Sequence, residues 1–163
     1  MAMFFAEVNH KEEKRNTELV KQAVEKCLGQ KVCVKRTIGR NYTSATYVIK
    51  TLKSYNQYPD LPDYVGNFLV ASFSMDVFPG CCAYAASYET NVTPRFRGKG
   101  IGTALQEVKA KLAKEAGFTH MLATCKKDNI TQISILEKAG WEKLHDCVNK
   151  RTNNQLILWI KDV

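Results

Sequence analysis

The feature that most constrains this chain of 163 residues is the junction at residues 92–112. A strand-like run ends at Pro94, a turn with glycine at every second position follows over 97–102, and a helix begins there. The apolar residues of this helix recur with the period of an amphipathic helix, and we interpret its lysines as the solvated face. The apolar positions are Ile101, Leu105, Val108 and Leu112. A strand, a glycine turn and a helix in succession predict a mixed α/β fold.

The rest of the chain divides into short strands and two further helices. The first helix is predicted to start from a cap at Asn16 or Thr17 and to stop at Gly29. A short helix is predicted over 129–139, with Asp128 or Asn129 as its cap and Gly140 as its stop. Strand 31–38 is expected to pair with 46–52 and strand 67–77 with 82–92 as hairpins, and 141–148 with 154–160 as a closing pair. The predicted strands are 31–38, 46–52, 67–77, 82–92, 120–125, 141–148 and 154–160. We find no repeat and no linker, so residues 1–163 are interpreted as one domain.

The net charge is +8, from 24 Lys+Arg against 16 Asp+Glu. Residues 1–40 carry 9 basic and 5 acidic residues, residues 41–94 carry 2 and 4, and residues 95–163 carry 13 and 7. Such a field attracts nucleic acids, phosphate-bearing cofactors and acidic surfaces alike. The six cysteines lack the spacing of a metal site, and no run of about 18 apolar residues is present. We therefore expect a cytoplasmic protein without a metal, a membrane span or a disulfide.

The glycine turn has the physical properties of a phosphate-binding site. The first turn of a helix has unpaired N–H groups and the positive end of the dipole, and glycine lets a bulky anion approach. Arg95, Arg97 and Lys99 add positive charge, so a pyrophosphate is the predicted ligand. The turn does not fit a Walker loop, and Thr103 stands where a dinucleotide fingerprint needs its third glycine. The alternative is a glycine-rich helix start whose basic residues are merely solvated.

Two blocks of the sequence resemble the GNAT superfamily of acyl-CoA-dependent N-acetyltransferases. Residues 97–102 (RGKGIG) meet the family signature Q/R-x-x-G-x-G/A and follow Val-Thr-Pro at 92–94. Residues 129–141 (NITQISILEKAGW) resemble the family helix N-x-x-A-x-x-L-Y-E-K-x-G-F. The resemblance covers about residues 82–145. It implies a GNAT-like central mixed, mostly antiparallel sheet flanked by helices, with a splay between the fourth and fifth strands.

The resemblance also implies acetyl-CoA as co-substrate. In the family, the backbone of the signature turn holds the pyrophosphate, while the end of the fourth strand and an asparagine contact the pantetheine arm. The corresponding positions here are Asn91, Val92, Arg97, Gly98, Lys99, Gly100, Ile101, Gly102, Thr103 and Asn129. Acetyl transfer is then expected to proceed by direct attack of a neutral amine on the thioester.

A general base is needed because an alkylamine is mostly protonated at pH 7. The family often uses Glu or His of the fourth strand, and Glu89 is the only acid there. Strand alternation places Glu89 on the face opposite Tyr84 and Tyr88 unless a bulge shifts the register. The alternative is that Glu89 is only a solvated strand residue. His120 is interpreted as a structural histidine.

The family tyrosine that often protonates the departing thiolate corresponds to Leu136, which has no proton to donate. Free thiols have a pKa near 8.5, so a thiolate is a tolerable leaving group without an acid. Tyr84 and Tyr88 are predicted catalytic candidates, and Cys125 and Ser134 are further substitutes for the missing acid. Replacement of the family alanine by glutamine at 132 is expected to narrow or polarise the cofactor channel.

We predict an N-acetyltransferase acting on a primary amine of a small molecule, a polyamine or a protein. The acidic and aromatic segment 55–64 is a candidate acceptor surface, and an ordinary surface loop is the alternative. A second hypothesis is an RNA-borne amine such as an aminoacyl-tRNA, with phosphates contacted by Lys14, Arg15, Lys21 and Lys26 of the first helix. A third is a non-catalytic CoA-binding or interaction domain. A homodimer is compatible with the sequence.

Overall fold

The computed structural model describes residues 10–39, 44–51, 69–78 and 83–163, which form seven strands and three α-helices. The strands are β1 Val32–Ile38, β2 Ser44–Thr51, β3 Leu69–Val77, β4 Tyr84–Val92, β5 His120–Lys126, β6 Glu142–Val148 and β7 Gln155–Asp162. The helices are α1 His10–Leu28, α2 Ile101–Glu115 and α3 Ile130–Lys138, with a 3₁₀ turn at Pro94–Phe96. Among these, no helix combines the length and the apolar character needed to cross a bilayer.

The strands form one sheet in the order β1-β2-β3-β4-β5-β7-β6. Neighbouring strands are antiparallel except β4 and β5, which are parallel. The predicted hairpins and the closing pair of strands are therefore confirmed, as is the mixed, mostly antiparallel sheet flanked by helices. The last strand, β7, lies inside the sheet, and β6 is left at its edge.

The core lies between the sheet and the two longer helices. Val20 and Val24 of α1 and Leu105 of α2 have no exposed surface, because each belongs to the apolar stripe of its helix. These residues pack with Ile49 and Phe73 of the sheet in a single buried cluster. The position of β4 is thus set by α2 on one side and by its neighbouring strands on either edge.

Two details of the helices correct the sequence predictions. Helix α1 begins at His10, earlier than the predicted cap. Thr17 lies inside the helix, where its Oγ1 donates to the carbonyl of Glu13 at 2.8 Å instead of capping the helix. In α2, Lys109 does not lie on a solvated face but is fully buried. It follows Leu105 by four residues, so it shares the side of the helix that faces the core.

One prediction falls outside the described residues. It concerns the acidic and aromatic segment 55–64. The four cysteines within the described ranges are free thiols. They are Cys27, Cys33, Cys125 and Cys147.

Candidate active site

Strands β4 and β5 are paired only along their first halves. The parallel ladder begins with Tyr84 opposite His120 and ends with Ser87 opposite Ala123. Beyond that point β4 continues to Val92 against β3, while β5 continues against β7. The predicted splay between the fourth and fifth strands is thus observed. It leaves the second half of β4 with backbone groups that no longer bond to β5.

A β-bulge interrupts β4 where the two strands part. The register against β3 shifts so that Phe73 lies opposite two residues, Glu89 and Thr90. Glu89 has a φ of 54°, in the left-handed region that non-glycine residues rarely adopt. The extra residue reverses the side-chain alternation, so Ser87 and Thr90 both face α2. Strand alternation placed Glu89 on the face opposite Tyr84 and Tyr88 unless a bulge shifted the register, and this bulge is present.

The bulge determines where the amide of Glu89 points. The N–H of Phe78 donates to the carbonyl of Tyr84 at 2.8 Å, so every second residue from Tyr84 to Tyr88 forms a hydrogen-bonded pair with β3. The peptide N–H that follows Tyr88 must then point away from β3, toward the side that β5 has left. This is the N–H of Glu89. A backbone donor in such a place is suited to a carbonyl oxygen.

The predicted phosphate-binding turn follows β4 directly. Gly98 and Gly100 have φ values of 75° and 79°, which glycine adopts without a steric penalty. Gly100 is the N-cap of α2, and no side chain of the described residues caps this helix end. The first N–H groups of α2 therefore lack partners within the helix and lie beside the exposed residues 97–100. An uncapped, exposed helix N-terminus of this kind is suited to bind an anion.

Arg97 joins this turn to the end of β4. Its Nε donates to the carbonyl of Val92 at 2.9 Å. The next residue, Thr93, donates its N–H to Val70 of β3 at 2.9 Å, so by alternation the N–H and carbonyl of Val92 face the splay. Arg97 thus bonds to the carbonyl of Val92, and the N–H of Val92 remains directed into the splay.

Helix α3 lies against the start of α2. A Cβ on Gly102 would come within 3.0 Å of Ile135 Cδ1, so glycine at this position lets the two helices approach closely. Asn129 is the N-cap of α3, and its side chain accepts a hydrogen bond from the N–H of Gln132 at 3.1 Å. The predicted cap is confirmed. Because Oδ1 accepts the capping bond, the side-chain atom of Asn129 that remains for a ligand is Nδ2.

The three predicted catalytic residues lie in two different places. Tyr88 and Glu89 follow the last β4–β5 pair, at the start of the splay. Tyr84 lies at the closed end, with its ring 4.7 Å from that of His120. The Nε2 of His120 is 3.2 Å from a carboxylate oxygen of Asp162. The structure therefore brings Tyr88 and Glu89 together and holds Tyr84 apart, in a structural cluster with His120.

Tyr88 is a phenol at the splay with 39% of its surface exposed. Burial of the remainder raises its pKa, and the carboxylates of Asp76 and Glu89 raise the pKa further because they repel a phenolate. The hydroxyl is thus protonated at neutral pH. It is a proton donor beside the bulge.

The other substitutes for the missing acid are less suitably placed. Leu136 is 1% exposed and belongs to the core, so the family tyrosine position has no proton donor. The buried Cys125 accepts a hydrogen bond from Trp159 Nε1 at 3.1 Å, and burial raises the pKa of its thiol. Ser134 is half-buried on α3. Tyr88 is the substitute that combines exposure with a place next to the bulge.

The basic residues of α1 that were predicted to meet RNA lie on a surface of mixed charge. Arg15 is 2.7 Å from a carboxylate oxygen of Glu115, and Lys21 is 3.5 Å from one of Glu18. Since part of this positive charge is neutralised by carboxylates, the contact with RNA stays a prediction.

One polar residue next to the site was missed by sequence reasoning. Lys109 donates from Nζ to the hydroxyls of Ser87 and Thr90, on either side of Glu89. Its position four residues after Leu105 was the available signal, but the number of lysines in this helix favoured a solvated face.

Comparison with known proteins agrees with the fold described above. The model of the acetyltransferase (GNAT) family matches residues 66–141, a range that includes β4, the glycine turn, α2, β5 and α3. A search of curated proteins by sequence returned no match.

Solved structures of acetyltransferases share the fold at low sequence identity. An IAA acetyltransferase from Bacillus cereus is 13% identical, with a TM-score of 0.58 over 81% of this chain and 99% of that chain. A spermidine N-acetyltransferase from Vibrio cholerae, in complex with CoA and spermine, is 12% identical, with a TM-score of 0.58 over 76% of this chain and 68% of that one. The ribosomal-protein-S18-alanine N-acetyltransferase from Escherichia coli is 13% identical, with a TM-score of 0.55 over 77% and 71% of the two chains.

The splayed sheet, the glycine turn and the family match define an acyltransferase. Residues 66–141 match the acetyltransferase (GNAT) family, and the chain shares its fold with solved acetyltransferases.

Proposed function

We propose that this protein transfers an acetyl group from acetyl-CoA to a primary amine. The observation that carries the proposal is the bulge of β4 at Glu89 and Thr90, which lies where β5 departs and precedes the uncapped N-terminus of α2 at Ile101. A donor for a carbonyl oxygen and a site for a phosphate thus lie along one continuous stretch of chain.

The residues of this stretch suit acetyl-CoA. The amides of residues 98–103 would hold the pyrophosphate, with Arg97 and Lys99 supplying positive charge. Asn91 and Asn129 are suited to the pantetheine arm, and Val92 would pair with it through its N–H, because Arg97 already bonds its carbonyl. When bound, acetyl-CoA supplies a thioester, whose carbonyl carbon is open to attack by an amine.

Three groups at the bulge have distinct roles in this proposal. The N–H of Glu89 stabilises the negative charge that develops on the thioester oxygen. The exposed carboxylate of Glu89 accepts a proton from the incoming ammonium, which must lose one before it can attack. The protonated hydroxyl of Tyr88 donates to the departing sulfur. Tyr84 has no direct role here because it lies at the closed end of the β4–β5 ladder.

The acceptor is proposed to be a cationic amine. The carboxylates of Asp76 and Glu89 both raise the pKa of Tyr88, so negative charge and an aromatic ring occur together here. Carboxylates and ring faces both attract ammonium groups. The names of structural neighbours include a polyamine acetylase and one that acts on a protein alanine, so small and protein-borne amines are both in scope.

The test combines binding with turnover. Calorimetric titration with CoA should show one site, and incubation with acetyl-CoA should release free thiol only when an amine is added. The panel should contain spermidine, an alkyl monoamine, a peptide with a free N-terminus and an aminoacyl-tRNA. Tight CoA binding without amine-dependent thiol release from any member would overturn the catalytic proposal in favour of a binding domain. Release with the aminoacyl-tRNA alone would move the acceptor to RNA.

A further inference from the structure

Lys109 lies in the middle of α2 with none of its surface exposed. The residues one helical turn away on the same side are Leu105, Leu112 and Ala113, all of the core. Burying an ammonium group among such neighbours is unfavourable unless specific contacts compensate. The contacts of Lys109 must therefore compensate for the cost of burying it.

The contacts of Lys109 converge on the bulge. Its Nζ donates to Ser87 Oγ at 2.9 Å and to the hydroxyl of Thr90, and it lies 5.3 Å from the centroid of the Phe73 ring. Ser87 is the last residue of β4 that pairs with β5, and Phe73 is the residue of β3 that faces the bulge. The ammonium group thus contacts β4 on both sides of Glu89 and also the strand opposite the bulge.

The two hydroxyls can reach one ammonium group only because the bulge is present. Ser87 and Thr90 are three residues apart, and in a regular strand their side chains would point to opposite faces. The left-handed conformation of Glu89 brings them to the same face. In turn, bonds from both hydroxyls to one buried donor oppose relaxation of the strand to a regular register.

Burial lowers the pKa of Lys109 from its usual 10.5 to about 7. The group therefore exists as both ammonium and amine near neutral pH, and either form has protons to donate to the two hydroxyls.

We propose that Lys109 is a positioning residue for acyl transfer, which ties Ser87 to Thr90 and so holds the amide of Glu89 in its orientation toward the splay. The inference rests on the proposed function, since that amide is the donor for the thioester oxygen. Lys109 itself lies between α2 and β4 with none of its surface exposed. Its effect on the reaction is carried by the backbone of residues 88–90.

The central experiment replaces Lys109 by a side chain of similar length without charge. In Lys109→Met we expect kcat to fall about 30-fold, because a small displacement of a positioned group costs up to about 100-fold. The affinity for CoA should change less than about twofold, since the glycine turn is untouched. Deuterium exchange at the amides of residues 88–90 should become faster, while exchange in α1 stays the same. The matched control is Lys111→Met on the exposed side of the same helix, which should match wild type in all three measurements.

A second variant separates positioning from folding. Lys109→Met leaves two hydroxyls without their donor, so a variant that also carries Ser87→Ala and Thr90→Val restores an apolar core. We expect this triple variant to unfold at the same temperature as wild type or higher, and still to show the loss of kcat and the faster exchange at 88–90. If Lys109→Met alone does not fold, the triple variant decides the question.

The outcomes distinguish this inference from the proposed function. Wild-type kcat in a folded Lys109→Met or triple variant, or unchanged exchange at residues 88–90, would show that Lys109 is only a packing residue. Failure of the wild-type protein to bind CoA or transfer acetyl would overturn the proposed function instead. The exchange measurement needs no activity, so it tests the hold of Lys109 on the bulge in either case.

Discussion

The two halves of β4 place the same kind of side chain in unlike surroundings. Tyr84 and Tyr88 share one face of the strand, four residues apart. Tyr84 lies within the β4–β5 ladder against His120, whereas Tyr88 lies just past the end of that ladder, beside the bulge. The difference comes from β5, which follows only the first half of β4. Where a neighbouring strand departs from a sheet, the backbone groups and side chains that it leaves uncovered become available to a ligand.

The largest effect is expected from the bulge residue itself. Glu89→Gln keeps the side-chain size and removes the proposed base, so kcat at pH 7 should fall about 100-fold. The deficit should shrink as the pH approaches the pKa of the acceptor amine, because the amine then loses its proton to water. The pH profile of the thiol-release assay measures both effects. A deficit that is constant with pH would argue against proton transfer by Glu89.

The next effect concerns the turn that follows the open half of β4. Gly100→Ala forces an L-residue to a φ of 79°, at a cost of about 1–2 kcal/mol, and should weaken CoA binding about tenfold. Gly117→Ala, just beyond the far end of α2, is the matched control, since its φ is 84° and a Cβ there would meet no atom of the described residues within 4 Å. Both variants should lose similar stability in a urea titration. Only Gly100→Ala should change the CoA dissociation constant, and equal constants for the two would contradict a phosphate site at this turn.

The two tyrosines provide the direct test of the comparison. Tyr88→Phe removes the protonated hydroxyl at the splay and should lower kcat about fivefold, a modest loss because a thiolate leaves readily on its own. Tyr84→Phe should leave kcat unchanged, since its hydroxyl lies at the closed end. Parallel assays of the two variants under saturating acetyl-CoA measure the difference. Equal effects would mean that the two halves of β4 do not differ in function.

The smallest effect is expected at the closed end. Asp162→Asn weakens the contact with His120, a pair in which the carboxylate is 90% exposed. Exposed pairs contribute at most about 1 kcal/mol, so the unfolding free energy should fall by less than that and kcat should not change. A loss of turnover in a variant of normal stability would extend the site beyond the splay.

Much of the fold could be predicted from local patterns. The glycines at 98, 100 and 102 and the stripe from Ile101 to Leu112 predicted the turn and its helix, because glycine conformations and helical periodicity are properties of a short segment. The hairpins and the cap at Asn129 followed for the same reason. The family resemblance added the splay, which no local pattern contains.

The rest depended on which elements meet in space. Periodicity tells which residues share a side of a helix, but only the packing of α2 on the sheet decided that Lys109 lies inside the protein. Strand alternation predicted two faces for β4. The left-handed conformation of Glu89 occurs where β4 is held by pairing with β3 and by contacts with α2 before and after Glu89. The sequence by itself determined the segments of the candidate site and the order in which they occur. The tertiary structure decided the direction of the groups at the bulge, because direction there depends on contacts between residues far apart in the chain.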